Sequence, residues 1–333
     1  MRTLVTGGYG FIGSEFVRRA IARGVDVVNA DVRTYAADPK RCASTADRLR
    51  TYDVDIADRA FIDLVKSERP SVLVHFAAES HVTRSEGNES IFFRTNVEGT
   101  ERVLEAAEAG GVELLVHIST DEVYGPCPGA PFKEEQKLPG EGTATSAYAR
   151  SKAVADDIAT SAFGKLPIVV VRPTNCFGAW QHPEKAIPRW TIRALNGDPI
   201  PVWGDGGQVR DWMAVQDLCS AIELLIERQA TSEVFNVGPE NSQVVNVEVA
   251  RAVARAAGRN ESAVFLSAYD RPQHDRRYAI DSSKIRSLGW RPQLGFEQAL
   301  VDTVDWYRQN RSWWEPLVEE AESLYSDAAE GTS

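Results

Sequence analysis

The stretch Leu4–Phe16 reads LVTGGYGFIGSEF and decides the fold of this chain. Apolar and β-branched residues run into spaced glycines and then into an amphipathic segment that ends at Gly24. Glycine at Gly7, Gly10 and Gly13, after a strand and before a helix, permits a tight turn, close approach of a pyrophosphate and close helix packing. Free N–H groups at the start of the helix favour an anion. The stretch predicts a dinucleotide-binding turn, the alternative being a strand-to-helix turn that binds nothing.

Composition and charge exclude several classes of function. The chain has 333 residues and a net charge of −11, which argues against a nucleic-acid partner because binders of polyanions carry a basic face. Its four cysteines lie far apart with no metal-binding spacing, so we expect reduced thiols, a cytoplasmic protein and no metal site. Strand-forming residues begin almost at the first residue, and no apolar run approaches the ~20 residues that span a bilayer. We therefore expect neither a signal peptide nor a membrane partner.

Strand and helix signals alternate through the first half of the chain. Near-continuous apolar runs such as SVLVHFAA and PIVVVRPT indicate strands covered on both faces. The pattern predicts an α/β fold, with a doubly wound parallel Rossmann sheet that binds the dinucleotide in residues 1–173. Beyond Thr174, connections rich in proline and glycine predict a smaller C-terminal substrate-binding lobe over 174–326 and a disordered tail at 327–333. A predicted strand near 233–238 is a candidate to return to the first sheet.

Charged residues after the predicted strands bear on the choice of dinucleotide. Asp31 ends the second predicted strand, where a carboxylate accepts a hydrogen bond from the adenosine ribose 2′-OH. Arg33 lies two residues further on and can instead meet a 2′-phosphate, which leaves NADP open as the alternative. Asp55 follows a predicted third strand and is a candidate contact for the adenine, although loop aspartates also cap turns. The sequence favours NAD.

Polar residues at one strand end and on one helix face form the candidate catalytic group. The stretch HISTDEVYG places Thr120, Asp121 and Glu122 at the carboxyl end of a predicted strand. In YARSK, Tyr148 and Lys152 are four residues apart and share one face of a helix. Tyrosine has a reference pKa of roughly 10, and a nearby cationic lysine and oxidised nicotinamide favour its phenolate form. A phenolate accepts a proton from a sugar hydroxyl while hydride leaves the same carbon.

Motifs that run along nearly the whole chain up to Trp314 carry a resemblance. They read TGGYGFIGS, HFAAESHVTRS, STDEVYG, YARSK, HPEKAIP, VRDW, FNVG and DRPQHDRRYAID. On these motifs the chain resembles the extended short-chain dehydrogenase/reductases, and within them the dTDP-glucose 4,6-dehydratases of deoxysugar biosynthesis. The resemblance implies an NAD-dependent lyase, a hydro-lyase that converts dTDP-glucose to dTDP-4-keto-6-deoxyglucose. It also implies a homodimer formed through the helices around Thr100 and Tyr148.

The resemblance implies roles for the catalytic group. Tyr148, Lys152 and Thr120 would oxidise the nucleotide-sugar at C4, with hydride passing to NAD. Glu122 would then take the C5 proton and Asp121 would protonate the departing C6 hydroxyl, after which hydride returns to C6. Two neighbouring carboxyls with opposite roles need environments that separate their pKa values.

The resemblance also implies two sets of binding residues. The cofactor set comprises Gly7, Gly10, Phe11, Ile12, Gly13, Asp31, Arg33, Asp55, Ile56, Ala77, Ala78, Tyr148 and Lys152. The substrate set comprises Ser80, Asn175, Lys185, Trp203, Arg210, Asn236, Arg271 and His274. Within it, Arg210 and Arg271 are natural diphosphate ligands because a planar guanidinium matches phosphate oxygens. Trp203 stands where the family stacks a tyrosine on the base.

Some positions depart from the family pattern. Thr83 stands where an aspartate is usual, Thr174 where the first of two asparagines is usual, and Ala179-Trp180 replaces a Pro-Tyr-like pair. These changes spare the catalytic group and leave the sugar and the base open. A nucleotide-sugar 4-epimerase or decarboxylase is the alternative function, and Asp121 discriminates because neither reaction expels a hydroxyl. A non-catalytic NAD-binding regulatory protein is a further alternative.

Overall fold

Helices and strands alternate through the first half of the chain. The computed structural model describes residues 2–81, 84, 88–138, 146–240, 242–269 and 274–325. The strands are β1 (Arg2–Thr6), β2 (Asp26–Ala30), β3 (Leu49–Tyr52), β4 (Val72–His75), β5 (Leu114–Ile118), β6 (Ile168–Pro173), β7 (Asn175–Phe177), β8 (Ile200–Trp203), β9 (Val209–Ala214), β10 (Glu233–Val237), β11 (Gln243–Val245) and β12 (Val264–Ser267). The helices are α1 (Phe11–Ala22), α2 (Arg59–Glu68), α3 (Glu89–Phe92), α4 (Gly99–Gly110), α5 (Ala147–Ser161), α6 (Ala186–Asn196), α7 (Val215–Glu227), α8 (Asn246–Ala256), α9 (Ser283–Ser287), α10 (Phe296–Gln309), α11 (Arg311–Trp314) and α12 (Val318–Ser323).

Seven of the described strands form one parallel sheet. Their order across the sheet is β10-β6-β5-β4-β1-β2-β3, and every neighbouring pair is parallel. The chain runs outward from β1 to β3 and then crosses back to β4 on the other side of β1. The gap between β1 and β4 is therefore the switch point at which such sheets bind ligands. The predicted doubly wound Rossmann sheet is confirmed.

Both faces of the sheet are covered, which explains why its strands are apolar throughout. Leu4 and Val5 are adjacent in β1, and neither is exposed to solvent. Because strand side chains alternate, Leu4 packs into the layer that contains Phe61 of α2 and Val103 of α4. Val5 packs into the opposite layer, beside Phe16 of α1. A strand buried on both faces has no polar side to show in its sequence.

Two elements of the second half belong with the first sheet, and one of them is the strand predicted near 233–238. Strand β10 pairs in parallel with β6 at the edge of the first sheet. Helix α7 also packs on that sheet, because its apolar face, with Leu218 and Ile222, joins the same core layer as Val5. The layer that α7 covers depends on tertiary packing between segments that are distant along the chain.

The remainder of the second half forms a smaller lobe with its own core. Strands β7, β9 and β11 form one small sheet, and β8 pairs with β12. Ile187 and Trp190 of α6 pack with Val253 of α8 and Leu300 of α10 in this core. Across the described ranges, no helix has both the length and the apolar character needed to cross a membrane. The tail predicted at 327–333 lies outside the described residues.

Candidate active site

A cavity of about 430 Å³ lies between the parallel sheet and the smaller lobe. We call the wall around Gly7, Gly10 and Gly13 the glycine side, and the wall around Trp203 and His274 the tryptophan side. The cavity brings together most of the predicted site residues. Those that line it are Gly7, Gly10, Phe11, Ile12, Gly13, Ala78, Ser80, Thr120, Asp121, Glu122, Tyr148, Lys152, Asn175, Lys185, Trp203, Arg210 and His274. The described part of the chain contains no group of three His, Cys, Asp or Glu residues able to hold a metal ion.

The glycine side fits a dinucleotide because the glycines of its turn have no side chain between the backbone and a ligand. Gly7 has a φ of +70°, and a Cβ there would lie 2.9 Å from the backbone nitrogen of Ala77. At Gly13 a Cβ would lie 2.3 Å from the Gly7 carbonyl oxygen, so any side chain would push α1 away from β1. The turn is thus a cradle that side chains would fill. Helix α1 begins directly after Gly10 without a side-chain cap, which leaves its first N–H groups for an anion.

Asp31 lies at the end of β2 against the glycine turn. It is buried, and its carboxylate accepts hydrogen bonds from the backbone N–H groups of Tyr9 (2.9 Å) and Arg33 (2.8 Å). Burial raises the pKa of Asp31 above its ordinary value, although these hydrogen bonds oppose the shift. The exposed side chain of Arg33 forms an ion pair with Asp53, with Nε and Oδ1 2.8 Å apart.

Five predicted cofactor contacts do not line this cavity, namely Asp31, Arg33, Asp55, Ile56 and Ala77. Asp55 binds Arg94 and caps its own turn by accepting a hydrogen bond from the N–H of Ala57 at 2.9 Å. Ile56 is buried and packs closely on Gly99 of α4, where an added Cβ would lie 2.7 Å from its Cδ1. The cofactor roles of Asp55 and Ile56 stay predictions, and the described contacts place the two side chains in a turn and in the core.

The catalytic group assembles where the end of β5 meets the start of α5. Thr120 Oγ1 accepts a hydrogen bond from the N–H of Glu122 and donates one to Asp121 Oδ1, both at 3.3 Å. Helix α5 is capped by Ser146, and it brings Tyr148 and Lys152 to the cavity wall. The five residues of the catalytic group, three after β5 and two on α5, thus line the same cavity.

The two neighbouring carboxyls differ in environment. Asp121 is 3% exposed, whereas Glu122 is partly exposed. Burial, reinforced by the charge of Glu122 and opposed by Arg210, raises the pKa of Asp121 to about 8. Its Oδ2 is buried and has no hydrogen-bond partner among the described residues. At neutral pH Asp121 is therefore a protonated acid that lines the cavity.

The pKa of Tyr148 does not follow the expectation that the nearby Lys152 favours a phenolate. Burial and the charge of Glu122 raise the pKa of Tyr148, and a hydrogen bond from Thr120 only partly opposes the shift. Lys152 Nζ instead donates to the backbone carbonyl of Ile118 at 2.8 Å. Burial also lowers the pKa of Lys152 to about 8. The chain by itself therefore keeps Tyr148 as a phenol.

Cationic and polar residues continue the cavity towards the tryptophan side. Arg210 is buried, donates to the carbonyls of Val209 (2.8 Å) and Asp275 (2.9 Å), and lies 4.2 Å above the ring of Tyr278. Lys185 donates to the carbonyl of Ser80 at 3.1 Å. The predicted Arg271 and the variant position Thr83 lie outside the described residues.

Asn236, which is predicted as a substrate contact, does not line the cavity. It is fully buried in β10. Its Oδ1 accepts a hydrogen bond from Tyr124 at 2.9 Å, and its Nδ2 donates to the carbonyl of Phe132 at 3.0 Å. The Tyr124 hydroxyl accepts in turn from Arg172, which forms two hydrogen bonds with Asp156. The Asn236 amide is therefore engaged in a structural network.

Sequence reasoning missed several residues that line the cavity. The Tyr278 hydroxyl lies 2.5 Å from Asp275 Oδ2 and 3.5 Å from Glu122 Oε2. Glu184 is buried in the same wall and binds Arg84. The motifs HPEKAIP and DRPQHDRRYAID contain Glu184 and Tyr278, so the signal was present in the sequence. Tyr325, near the end of the described chain, belongs to no such motif, and nothing in the sequence pointed to it.

Comparisons with known proteins agree with this geometry. The NAD dependent epimerase/dehydratase family matches residues 3–238. The dTDP-glucose 4,6-dehydratase of Streptomyces niveus is 40% identical, with 99% of this chain and 100% of that protein covered. The crystal structure of the dTDP-glucose 4,6-dehydratase DesIV from Streptomyces venezuelae, with NAD bound, is 40% identical and has a TM-score of 0.88 over 95% of this chain and 100% of that one.

A structure with another named activity is more distant. The Thermus thermophilus UDP-glucose 4-epimerase, in complex with NAD, is 31% identical and has a TM-score of 0.84 over 93% of this chain and 100% of that one. The family match covers well over half of the chain and includes the glycine turn and the catalytic group. The predicted family is confirmed: this chain belongs to the NAD dependent epimerase/dehydratase family.

Proposed function

We propose that this protein is an NAD-dependent dTDP-glucose 4,6-dehydratase. One observation carries the proposal: a buried acid, Asp121, lies beside the carboxylate Glu122 and the tyrosine Tyr148 in one cavity. Burial and the charge of Glu122 raise the pKa of Asp121 to about 8, so the pair divides into an acid and a base at neutral pH. Similarity to curated dTDP-glucose 4,6-dehydratases over nearly the full chain supports the same activity.

NAD is the cofactor that we propose for the glycine side. When bound, it would accept hydride from sugar C4 and return it to C6. The bare backbone at Gly7 and Gly13 leaves space for a pyrophosphate, and Asp31 brings a carboxylate to the end of β2. Arg33, the residue that could favour a 2′-phosphate, is already paired with Asp53. A titration should therefore give tighter binding of NAD than of NADP, and the reverse order would contradict the assignment.

The first step that we propose is proton abstraction from the C4 hydroxyl by Tyr148. In this step the hydroxyl of Thr120 turns from Asp121 to Tyr148, and the hydrogen bond that it then donates favours the tyrosinate. Lys152 is held by the Ile118 carbonyl on the face of α5 that also carries Tyr148. The hydride of C4 would pass to bound NAD, whose positive charge would favour the tyrosinate that the chain alone does not hold. The step leaves a 4-keto sugar and a protonated Tyr148.

The second step is elimination of water across C5 and C6. The 4-ketone acidifies the C5 proton, and Glu122 accepts it. The C6 hydroxyl leaves as water with the proton of Asp121. Asp121 therefore ends the step as a carboxylate and Glu122 ends it as a protonated acid. The product is a sugar with a C5–C6 double bond beside its ketone, and hydride at C6 with a proton at C5 completes the 6-deoxy sugar.

An isotope experiment tests the reaction. Substrate dTDP-glucose labelled with deuterium at C4 should give a 4-keto-6-deoxy product with deuterium in the C6 methyl group, and solvent should supply the proton at C5. Mass spectrometry and NMR of the product measure both positions. A product without deuterium at C6, one that has only inverted at C4, or one that has lost carbon dioxide would refute the proposal.

We also propose a homodimer in the cytoplasm, formed through α4 and α5, the helices that contain Thr100 and Tyr148. Ile91 of α3 exposes 52% of its surface, and α3 packs against α5, so a charge at Ile91 tests the contact between copies. The four cysteines are free thiols, which suits a reducing compartment. Light scattering should give twice the chain mass for wild-type protein and a lower mass for Ile91→Glu. A monomeric wild-type protein would contradict the dimer.

A further inference from the structure

Residues near the end of the described chain close the tryptophan side of the cavity. Tyr325 follows α12, lines the same cavity as Trp203 and is only 7% exposed. The reaction proposed above does not use this residue. Tyr325 belongs to a segment far in sequence from the glycine turn, and contacts with distant residues hold it in the cavity wall.

Aromatic rings surround Trp203 at steep angles. The centroid of Tyr325 lies 5.4 Å from that of Trp203, with an angle of 63° between the ring planes. His274 and Tyr269 approach the same ring at 76° and 80°. These steep angles are those of edge-to-face aromatic contacts, in which the edge of one ring meets the face of another. Trp203, His274 and Tyr325 also line the cavity, so a planar ligand placed against Trp203 has the ring of Tyr325 beside it.

Ion pairs fix the placement of Tyr325. Glu322 of α12 forms two hydrogen bonds with Arg189, at 2.7 and 2.9 Å, and a further one with Arg193 at 3.3 Å. The guanidinium of Arg189 lies 4.0 Å above the ring of Tyr325. The Tyr325 hydroxyl donates to the backbone carbonyl of Glu184. The ring is thus held on one face and at its tip.

The Glu322 clamp, by which we mean its bonds to Arg189 and Arg193, is ionised at neutral pH. Burial opposes the charge of Glu322, but the hydrogen bonds and charges of the two arginines hold its pKa below the ordinary value. A neighbouring ion pair joins Glu320 of α12 to Arg84 at 3.0 Å. Helix α12 is therefore attached to the cavity wall at two points.

We propose that Tyr325, positioned by the Glu322 clamp, is a specificity-determining residue that sizes the nucleobase position beside Trp203. The inference rests on the proposed function, which brings a nucleoside diphosphate to this cavity. A base stacked on Trp203 has its edge against the ring of Tyr325. Removing the ring widens the position, weakens the fit of the base and lowers the discrimination between thymine and uracil, whose edges differ by one methyl group.

Calorimetric titration of the full-length protein with dTDP and with UDP tests the proposal. Tyr325→Ala should weaken dTDP binding by about tenfold, the upper size of one edge-to-face aromatic contact. The preference for dTDP over UDP should fall in the same variant. Tyr325→Phe keeps the ring and loses only the hydroxyl, so it should stay within about twofold of wild-type in its affinity for dTDP.

Glu322→Gln tests the clamp, and Glu319→Gln on the exposed part of the same helix is the matched control. The first should weaken dTDP binding and the second should leave it unchanged. In steady-state kinetics Tyr325→Ala should raise the KM for dTDP-glucose and leave kcat near wild-type, since the catalytic group is untouched. A merely structural role would lower stability without changing the preference between the two nucleotides.

The outcomes separate this inference from the proposed function. Unchanged dTDP binding in Tyr325→Ala would overturn the inference, and tighter binding would overturn it too, since the tyrosine would then fill space that the nucleotide needs. If the wild-type protein binds dTDP in a Tyr325-dependent manner but forms no 4-keto product, the proposed reaction alone fails. If it dehydrates dTDP-glucose and Tyr325→Ala retains full discrimination, this inference alone fails.

Discussion

The glycine side and the tryptophan side of the cavity are built in different ways. Residues of one continuous stretch, Leu4–Phe16, form the turn on the glycine side, where a Cβ at Gly13 would lie 2.3 Å from the Gly7 carbonyl. The tryptophan side combines Trp203 of β8, His274 from a loop and Tyr325 beyond α12. The first wall is a local structure with strict backbone requirements. The second is an assembly whose parts meet only after the lobe has folded.

The comparison implies that chemistry and recognition separate. The catalytic group lies on elements of the parallel sheet, whereas the aromatic rings lie on the smaller lobe and the end of the described chain. Substitutions at the catalytic group should therefore change kcat, and substitutions on the tryptophan side should change KM and nucleotide preference. The following variants test this separation.

The largest effect is expected for Tyr148→Phe. Loss of the proton acceptor should lower kcat/KM for dTDP-glucose by about a thousandfold, within the range for general acid–base catalysis. Binding of dTDP should remain at the wild-type level because the ring is retained and the tryptophan side is unchanged. Steady-state kinetics and calorimetry measure the two quantities. A large loss of dTDP affinity would break the separation between the two sides.

Asp121→Asn should lower the rate of product formation by about a hundredfold at neutral pH, because the amide cannot donate the proton that water needs. Oxidation at C4 should persist, so a bound 4-keto sugar that retains its C6 hydroxyl should accumulate and be visible by mass spectrometry after a rapid quench. Free formation of the 6-deoxy product by this variant would exclude Asp121 as the acid.

The pH profile sharpens this assignment. Burial and the charge of Glu122 raise the pKa of Asp121 to about 8, so the acid is protonated below that value and the wild-type rate should fall as the pH rises through it. Lys152 titrates in the same range, because burial lowers its pKa to about 8. The pH profile of Asp121→Asn shows which group causes the fall in rate. If the rate falls over the same alkaline range in both proteins, a group other than Asp121 causes it.

Asn236→Ala and Asn175→Ala form a matched pair. Asn236 accepts a hydrogen bond from Tyr124 inside the fold, so its loss should lower the free energy of unfolding by about 1–3 kcal/mol and leave KM unchanged. Asn175 lines the cavity, and its Oδ1 has no partner in the described part of the chain. Its loss should raise KM roughly three- to tenfold with little effect on stability. Urea unfolding and kinetics separate the two, and the reverse pattern would restore Asn236 as a substrate contact.

The smallest effect is expected for Trp203→Tyr. Trp203 offers a larger stacking face than tyrosine, so we expect the wild-type protein to tolerate UDP-glucose, with dTDP-glucose still preferred. The variant should increase the preference for dTDP-glucose by about two- to threefold in kcat/KM. A strong thymine preference already present in the wild-type protein would count against the idea.

Much of the fold and the catalytic group could be predicted from sequence. The glycine turn, the apolar strands and the pairing of Tyr148 with Lys152 depend on local spacing, and the structure brings all five catalytic candidates to one cavity. The roles predicted for Ile56 and Asn236 stay predictions, because neither side chain lines the cavity. Spacing places a residue near a strand end, but it does not reveal whether its side chain is already engaged with Gly99 or Tyr124.

The sequence by itself determined the order of elements, the glycine turn and the acid–base group, because periodicity, backbone freedom and side-chain chemistry act over a few residues. Only the tertiary structure decided which layer of the core α7 covers and that the ring of Tyr325 contacts that of Trp203. It also decided that Asp121 is buried with a raised pKa while the neighbouring Glu122 is partly exposed. These features depend on desolvation and on contacts between segments distant along the chain. Such properties arise when elements pack together, and no single stretch of residues contains them.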